Sequence, residues 1–183
     1  MSRALIVIDV QESFRARPLW DEIGNPKIAE PVNRLVRAAR AAGDRVIWVL
    51  HQEPGTGGVF DPAEGHVRLL DELERPAADE PVLRKTSHNA FTTTNLQQLL
   101  TEAGLTELWV CGIRAEQCVE TTTRVGSDLG YRMVFVKDAV TTDNDTGFSP
   151  EELIARTEAV LRDRFARIAT VAEFENDLAA SSA

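Results

Sequence analysis

The chain has 183 residues, of which 43% are hydrophobic and 27% charged, and its formal net charge is −9. This length suffices for one substantial hydrophobic core and is short for two ordinary domains, so we predict a single domain over residues 1–183. The acidic excess excludes nucleic acid and anionic membranes as expected partners, because both would repel the chain.

The amino-terminal segment MSRALIVIDV gives an expectation about the compartment. It places one Arg before a short apolar run that ends at an acid. There is no small-residue cleavage pattern, and the run is far shorter than the ~20 apolar residues of a membrane span. We therefore predict a cytoplasmic protein. The two cysteines, Cys111 and Cys118, are then expected to be one core residue and one reactive residue rather than a disulfide.

Apolar runs alternate with amphipathic stretches along the chain. Six runs predict strands, namely Ala4–Val10, Arg45–Leu50, Pro81–Arg84, Glu107–Cys111, Arg132–Val136 and Arg167–Thr170. Four stretches predict helices, namely Ile28–Ala42, Thr94–Ala103, Ala115–Leu129 and a last one from Ser149 or Pro150 to about Phe165. Most of the runs are continuously apolar, which is typical of parallel strands covered on both faces. The predicted fold is α/β, with three α/β/α layers around a doubly wound, mostly parallel six-stranded sheet.

One long segment, Gln52–Ala78, lacks a regular pattern because prolines and glycines interrupt it. Only a short amphipathic piece around His66–Leu73 stands out within it. Irregular segments of this length inside a small domain are often lids or binding loops.

Reactive side chains are expected where the predicted strands end. Asp9 ends the first strand, Lys85 lies near the end of the third, and Cys118 follows the fourth. Ligands of open α/β sheets bind beyond the carboxyl ends of the strands, so an acid, an amine and a thiol should converge there.

Each of these residues also has a structural interpretation. Asp9 could cap a turn, although an acid after five apolar residues faces an interior that unpaired charges avoid. Lys85 could be a solvated strand end, and Cys118 could be core packing. A thiol near a helix N-terminus and a cation is expected to have a lowered pKa. Cys111, inside an apolar strand, is interpreted as packing.

Motifs of competing classes are absent from the sequence. The turn after the first strand lacks G-x-G-x-x-G, and the chain has neither a P-loop nor G-x-S-x-G. In contrast, the segments ALIVIDVQESF, LRKTSHNAF, ELWVCGIRAEQCVETTTR and LGYRMVFVKDAVTT resemble, in order and spacing, the blocks of the isochorismatase-like hydrolases. The likeness covers about residues 4–142.

The resemblance implies the cysteine hydrolase branch of that family, with a catalytic triad of Asp9, Lys85 and Cys118. The aspartate takes the thiol proton, the lysine stabilises charge, and the sulfur attacks a carbonyl to form a thioester that water hydrolyses. The resemblance also implies a cis peptide at Ile113–Arg114, with the backbone N–H groups of Arg114 and Cys118 forming an oxyanion hole. Family members usually form dimers or larger assemblies, so we expect a homo-oligomer.

Two departures from family patterns narrow the expected function. Nicotinamidases of this family hold a metal with one Asp and two His after the second strand, whereas this chain reads WVLHQEPG there. We therefore predict no metal and no other cofactor. Isochorismatase itself does not use the cysteine, so a chain that keeps Cys118 is better suited to acyl transfer.

The predicted reaction is hydrolysis of a carbon–nitrogen bond in a small amide, N-carbamoyl or cyclic amide substrate. The alternatives are isochorismatase-type hydrolysis of a vinyl ether and a catalytically silent binding protein on the same fold. Candidates for the walls of the substrate pocket follow strands or lie in the irregular segments, and they are Phe14, Trp20, His51, Phe60 and His88.

Overall fold

A six-stranded, all-parallel sheet forms the centre of the molecule in the computed structural model, which describes residues 3–144 and 147–181. The strands are β1 Arg3–Ile8, β2 Arg45–His51, β3 Val82–Lys85, β4 Glu107–Ile113, β5 Arg132–Thr141 and β6 Arg167–Ala169. They are arranged in the order β3-β2-β1-β4-β5-β6. This sheet confirms the predicted fold class, with every strand pair parallel.

Helices cover both faces of the sheet. They are α1 Glu12–Arg15, α2 Ala29–Ala41, α3 Leu96–Glu102, α4 Glu120–Asp128, α5 Pro150–Leu161 and α6 Val171–Ser181. α2 and α6 pack together on one face, over a buried cluster that includes Trp48 and Trp109. Helices α3, α4 and α5 cover the opposite face, over a cluster that includes Ile6 and Phe135. Successive side chains of each buried strand point to opposite faces of the sheet, and they therefore belong to two separate hydrophobic cores.

Several elements differ from the prediction. The expected single helix over Ala115–Leu129 is divided into a π-helical turn, Ala115–Val119, and α4. The backbone N–H groups of Val119 and Glu120 donate to carbonyl groups five residues earlier, which inserts one extra residue into the turn. The amphipathic piece around His66–Leu73, for which no element type was predicted, contains no helix or strand, and its Leu69 makes an isolated bridge to Gln11.

Other elements escaped prediction altogether. They are α1, α6 and the 3₁₀ turns Pro18–Glu22 and Pro62–Glu64. The start of α5 was predicted correctly, because Ser149 and Glu152 form a reciprocal capping box. Within the described ranges, no helix has the length and apolar character needed to cross a membrane.

The winding of the sheet reverses between β1 and β4, and the two strands approach closely at their carboxyl ends. Gly112 has a φ of 131°, and a Cβ built on it would lie 1.9 Å from the carbonyl oxygen of Ile8. Only glycine fits both the conformation and the space. This contact fixes the chain segments that follow β1 and β4 side by side.

Candidate active site

Asp9 and Lys85 form a fully buried ion pair at the carboxyl edge of the sheet. Asp9 directly follows β1 and Lys85 is the last residue of β3, and the side chains of both have 0% exposure. The Lys85 Nζ lies 2.7 Å from the Asp9 Oδ2. Asp9 adopts a left-handed backbone conformation with a φ of 54°, uncommon for any residue except glycine. Such strain of order 1–3 kcal/mol persists where the surrounding structure enforces it, and it is found at functional sites.

Cys118 lies in the π-helical turn after β4 and contacts this ion pair. The Lys85 Nζ is 3.4 Å from the Cys118 Sγ, and the thiol also interacts with the Asp9 carboxylate. The cysteine is 6% exposed, whereas Cys111 in β4 is fully buried, as expected for core packing. The acid, the amine and the thiol predicted from the strand ends therefore come together in the fold.

The expectation of a lowered thiol pKa is wrong for the free protein. Burial and the negative charge of Asp9 raise the pKa of Cys118 to about 12, although the Lys85 ammonium acts in the opposite direction. The sequence argument relied on a helix N-terminus, but the cysteine lies in a π-helical turn and faces a carboxylate. At neutral pH the sulfur therefore keeps its proton until a base accepts it.

Burial also raises the pKa of the Asp9 carboxyl, and the Lys85 ammonium and the Cys118 thiol only partly oppose that rise. A carboxylate with a raised pKa is a better proton acceptor than a solvated one. The Cys118 thiol therefore has an adjacent base in the Asp9 carboxylate.

A cavity of about 390 Å³ is lined in part by Cys118. Its lining includes four of the five predicted pocket residues, Phe14, His51, Phe60 and His88. The Phe60 ring lies edge-on to those of Phe14 and His51, with centroids 5.1 and 5.5 Å apart, so the three rings form one aromatic wall. This volume suits a small organic molecule.

Trp20, the fifth predicted residue, does not line this cavity. It lies in the 3₁₀ turn Pro18–Glu22, where the Arg15 guanidinium sits 5.5 Å from its ring centroid. Its side chain packs instead against the core cluster that includes Trp48 and Trp109, which the spacing along the sequence did not reveal.

Further cavity residues were missed at the sequence level, and they are Arg17, Glu53, Gly58, Val59 and Gln117. Three of them belong to the irregular segment after β2, so the expectation that this segment contributes a binding loop agrees with its position. The Asp61 side chain accepts hydrogen bonds from the backbone N–H groups of Gly57 and Ala63 and thereby shapes the loop. Clustered glycines and prolines were the only signal available in the sequence.

Arg114 begins the segment that leads to Cys118. The Ile113–Arg114 peptide is cis, and the Arg114 carbonyl accepts hydrogen bonds from the N–H groups of Gln117 and Val119. Arg114 also lines the cavity, and its guanidinium lies 2.7 Å from Asp143 Oδ1. The oxyanion hole expected from the N–H groups of Arg114 and Cys118 stays a prediction.

No group of three or more His, Cys, Asp or Glu side chains among residues 3–144 and 147–181 is arranged to hold a metal ion.

Comparison with known proteins places this geometry in a family. The family model described as the isochorismatase domain matches residues 3–173. YrdC of Bacillus subtilis, an uncharacterized isochorismatase family protein, is 30% identical over 181 residues, covering 96% of this chain and 95% of that protein. The ureidoacrylate amidohydrolase RutB of Klebsiella pneumoniae is 28% identical over 170 residues, covering 74% of this chain and 72% of that protein.

The fold agrees with these relatives. A solved hydrolase of the isochorismatase family from Chromobacterium violaceum superposes with a TM-score of 0.89 at 27% identity, over 98% of this chain and 94% of that one. With the domain match over nearly the whole chain and the thiol at the switch point of the sheet, the protein belongs to the isochorismatase family of hydrolases.

Proposed function

We propose that the protein is a cysteine hydrolase that cleaves a carbon–nitrogen bond of a small amide, N-carbamoyl or cyclic amide substrate through a thioester at Cys118. The observation that carries this proposal is the contact of Cys118 with the buried Asp9–Lys85 pair beside a cavity of small-molecule size. The amidohydrolase named among the relatives supports the reaction class. Fold alone would not, because one fold can host many reactions.

In the first half-reaction, Asp9 accepts the proton of the Cys118 thiol while the sulfur bonds to the carbonyl carbon of the substrate. The proton transfer accompanies the attack, because a thiol with a pKa of about 12 is not ionised beforehand. The Lys85 ammonium, 3.4 Å from the sulfur, stabilises the negative charge that develops there. The C–N bond then breaks, the leaving nitrogen takes the proton from Asp9, and a thioester remains.

In the second half-reaction, water attacks the thioester carbonyl and gives a proton to Asp9. The C–S bond breaks, the sulfur regains its proton from Asp9, and the acid product leaves. We propose that the backbone N–H groups of Arg114 and Cys118 stabilise the oxyanion in both steps, a contribution that is typically 10²–10³ in rate for one donor.

The experiment is an assay of ammonia or amine release from a panel of primary amides, N-carbamoyl and ureido acids, and cyclic amides. For the substrate that is turned over, Cys118→Ala should reduce kcat by about 10⁶-fold, as for removal of the nucleophile in a serine protease. Cys111→Ala is the matched control, because it removes the other buried thiol, and it should retain activity. Mass spectrometry of the quenched reaction should find the acyl group on Cys118.

Two outcomes would contradict the proposal. Turnover that is insensitive to Cys118→Ala would favour ether hydrolysis of the isochorismatase type. Failure to turn over any member of the panel would favour a binding protein on the same fold.

A further inference from the structure

We propose that His51 is a positioning residue, whose neutral imidazole holds the Lys85 ammonium against Asp9 and Cys118. This inference rests on the proposed function, since it assigns a task to a side chain next to the proposed nucleophile. His51 is the last residue of β2 and lines the cavity, with 15% of its side chain exposed.

The backbone of His51 is clamped from both sides by one side chain. The fully buried Gln11 accepts a hydrogen bond from the His51 N–H at 2.8 Å through Oε1 and donates to the His51 carbonyl at 3.0 Å through Nε2. The same Gln11 amide nitrogen donates to Ser13 Oγ at 2.9 Å. A buried amide that uses both of its ends on one residue fixes that strand end, because any displacement would leave buried polar groups unsatisfied.

The imidazole ring is fixed as well. Its Nε2 lies 3.2 Å from Glu53 Oε1, and the Phe60 ring packs edge-on against it at 5.5 Å. Glu53 and Phe60 thus hold the imidazole in place, and its other nitrogen, Nδ1, lies 3.4 Å from Lys85 Nζ.

The two neighbours of the ring determine its protonation. A carboxylate only accepts hydrogen bonds, so the Nε2 beside Glu53 carries the hydrogen. An ammonium only donates, so the Nδ1 beside Lys85 offers a lone pair. Both neighbours select the same neutral Nε2–H tautomer. Burial and the Lys85 charge lower the pKa of His51, against the opposing effect of the Asp9 and Glu53 carboxylates.

This arrangement completes the surroundings of the ammonium. Besides Asp9 and His51, the Lys85 Nζ contacts the Ser87 carbonyl oxygen at 3.2 Å and the Cys118 sulfur at 3.4 Å. Loss of the Nδ1 acceptor would let the ammonium move away from the sulfur. The sulfur would then lose the cation that lowers its pKa. A displacement of this kind, about 1 Å, can cost about 10²-fold in rate.

A matched pair of substitutions tests the inference. His51→Asn can place its amide oxygen near the position of Nδ1, whereas His51→Gln reaches the position of Nε2 and leaves Lys85 without the acceptor. Alkylation of Cys118 by iodoacetamide at pH 8.5 needs no substrate. We expect a rate near that of the wild type for His51→Asn and a rate about tenfold lower for His51→Gln, the effect of one pKa unit on the thiolate fraction.

The turnover assay and NMR supply the remaining readouts. His51→Gln should lose about 10²-fold in kcat with little change in KM, and His51→Asn should restore most of it. In the ¹⁵N-labelled wild type at pH 7, the His51 ring should carry its proton on Nε2. Thermal unfolding of both variants verifies that they are folded.

Equal alkylation rates in the wild type and both folded variants would overturn the inference, and so would a proton on His51 Nδ1. A rise in KM without loss of kcat in both variants would also overturn it, because His51 would then be a substrate contact. Alkylation and NMR decide the matter even if no amide is hydrolysed. Failure of the proposed function is therefore distinguishable from failure of this inference.

Discussion

Two buried carboxylates, at opposite ends of the same sheet, are treated differently by the fold. Glu80, just before β3, accepts hydrogen bonds from Arg40 Nε and Nη2, Trp48 Nε1 and the Ala77 N–H, at 2.7 to 3.0 Å. Asp9, at the carboxyl edge, has the Lys85 ammonium at 2.7 Å and the Cys118 thiol beside it. Burial acts to raise the pKa of both carboxyl groups. At Glu80 the hydrogen bonds outweigh the effect of burial, so the pKa of Glu80 is lowered, whereas the pKa of Asp9 is raised.

The difference separates a structural carboxylate from a reactive one. Donors on every side stabilise the charge of Glu80 and make it a poor base. Asp9 is left with few donors in a low-dielectric interior, which favours proton uptake from the neighbouring thiol.

The largest expected effect is the loss of turnover when the reactive carboxylate is replaced. Asp9→Asn should reduce kcat by about 10³- to 10⁴-fold, because the amide cannot accept the thiol proton. Glu80→Gln is the matched control at the other end of the sheet and should keep kcat within a few fold while losing about 2 kcal/mol of unfolding free energy. Equal loss of turnover in the two variants would mean that Asp9 has only a structural role.

The thiol beside Asp9 gives the second test. With a pKa of about 12, the rate of Cys118 alkylation by iodoacetamide should rise about tenfold per pH unit from pH 7 to 10. Cys111 should not react in the folded protein, since it is fully buried and burial raises its pKa as well. A plateau in the Cys118 rate at neutral pH, measured by mass spectrometry, would reveal a thiolate and contradict the assigned protonation state.

Glycines at the two ends of the sheet sharpen the comparison further. Gly112→Ala should destabilise the fold by at least about 2 kcal/mol, because the added Cβ meets the Ile8 carbonyl oxygen at a φ of 131°. Gly43→Ala, at the amino end, also has a positive φ but no atom within 4 Å, and should cost about 1 kcal/mol. Urea unfolding measures both, and equal costs would show that β1 and β4 can separate without penalty.

The smallest expected effect is a difference in pH dependence. The pKa of Glu80 is lowered in the folded protein, so its contribution is present above about pH 4.3 and is lost as the pH falls through the folded value. The pKa of Asp9 is raised, so the folded state binds more protons and stability declines as the pH rises from about 3.9 through the folded value. Relative to wild type, Glu80→Gln and Asp9→Asn should show opposite slopes in urea unfolding between pH 3 and 7. Slopes of the same sign would contradict the comparison.

The six apolar runs and the helices between them determined the fold class, because continuous burial leaves a recognisable pattern in the chain. The same argument found the strand ends and, with them, Asp9, Lys85 and Cys118. It also identified Cys111 as core, which its complete burial agrees with. These are properties that local hydrophobicity and the rules of parallel sheets settle in advance.

Other features depend on atoms that only the folded chain brings together. The π-helical turn at Cys118, the removal of Trp20 from the cavity and the raised pKa of the thiol all arise from contacts between distant segments. The clamp of Gln11 on His51 joins residues 40 positions apart. Sequence patterns report which side chains avoid water, but hydrogen-bond partners and electrostatic surroundings are set by three-dimensional distances, which tertiary packing alone decides.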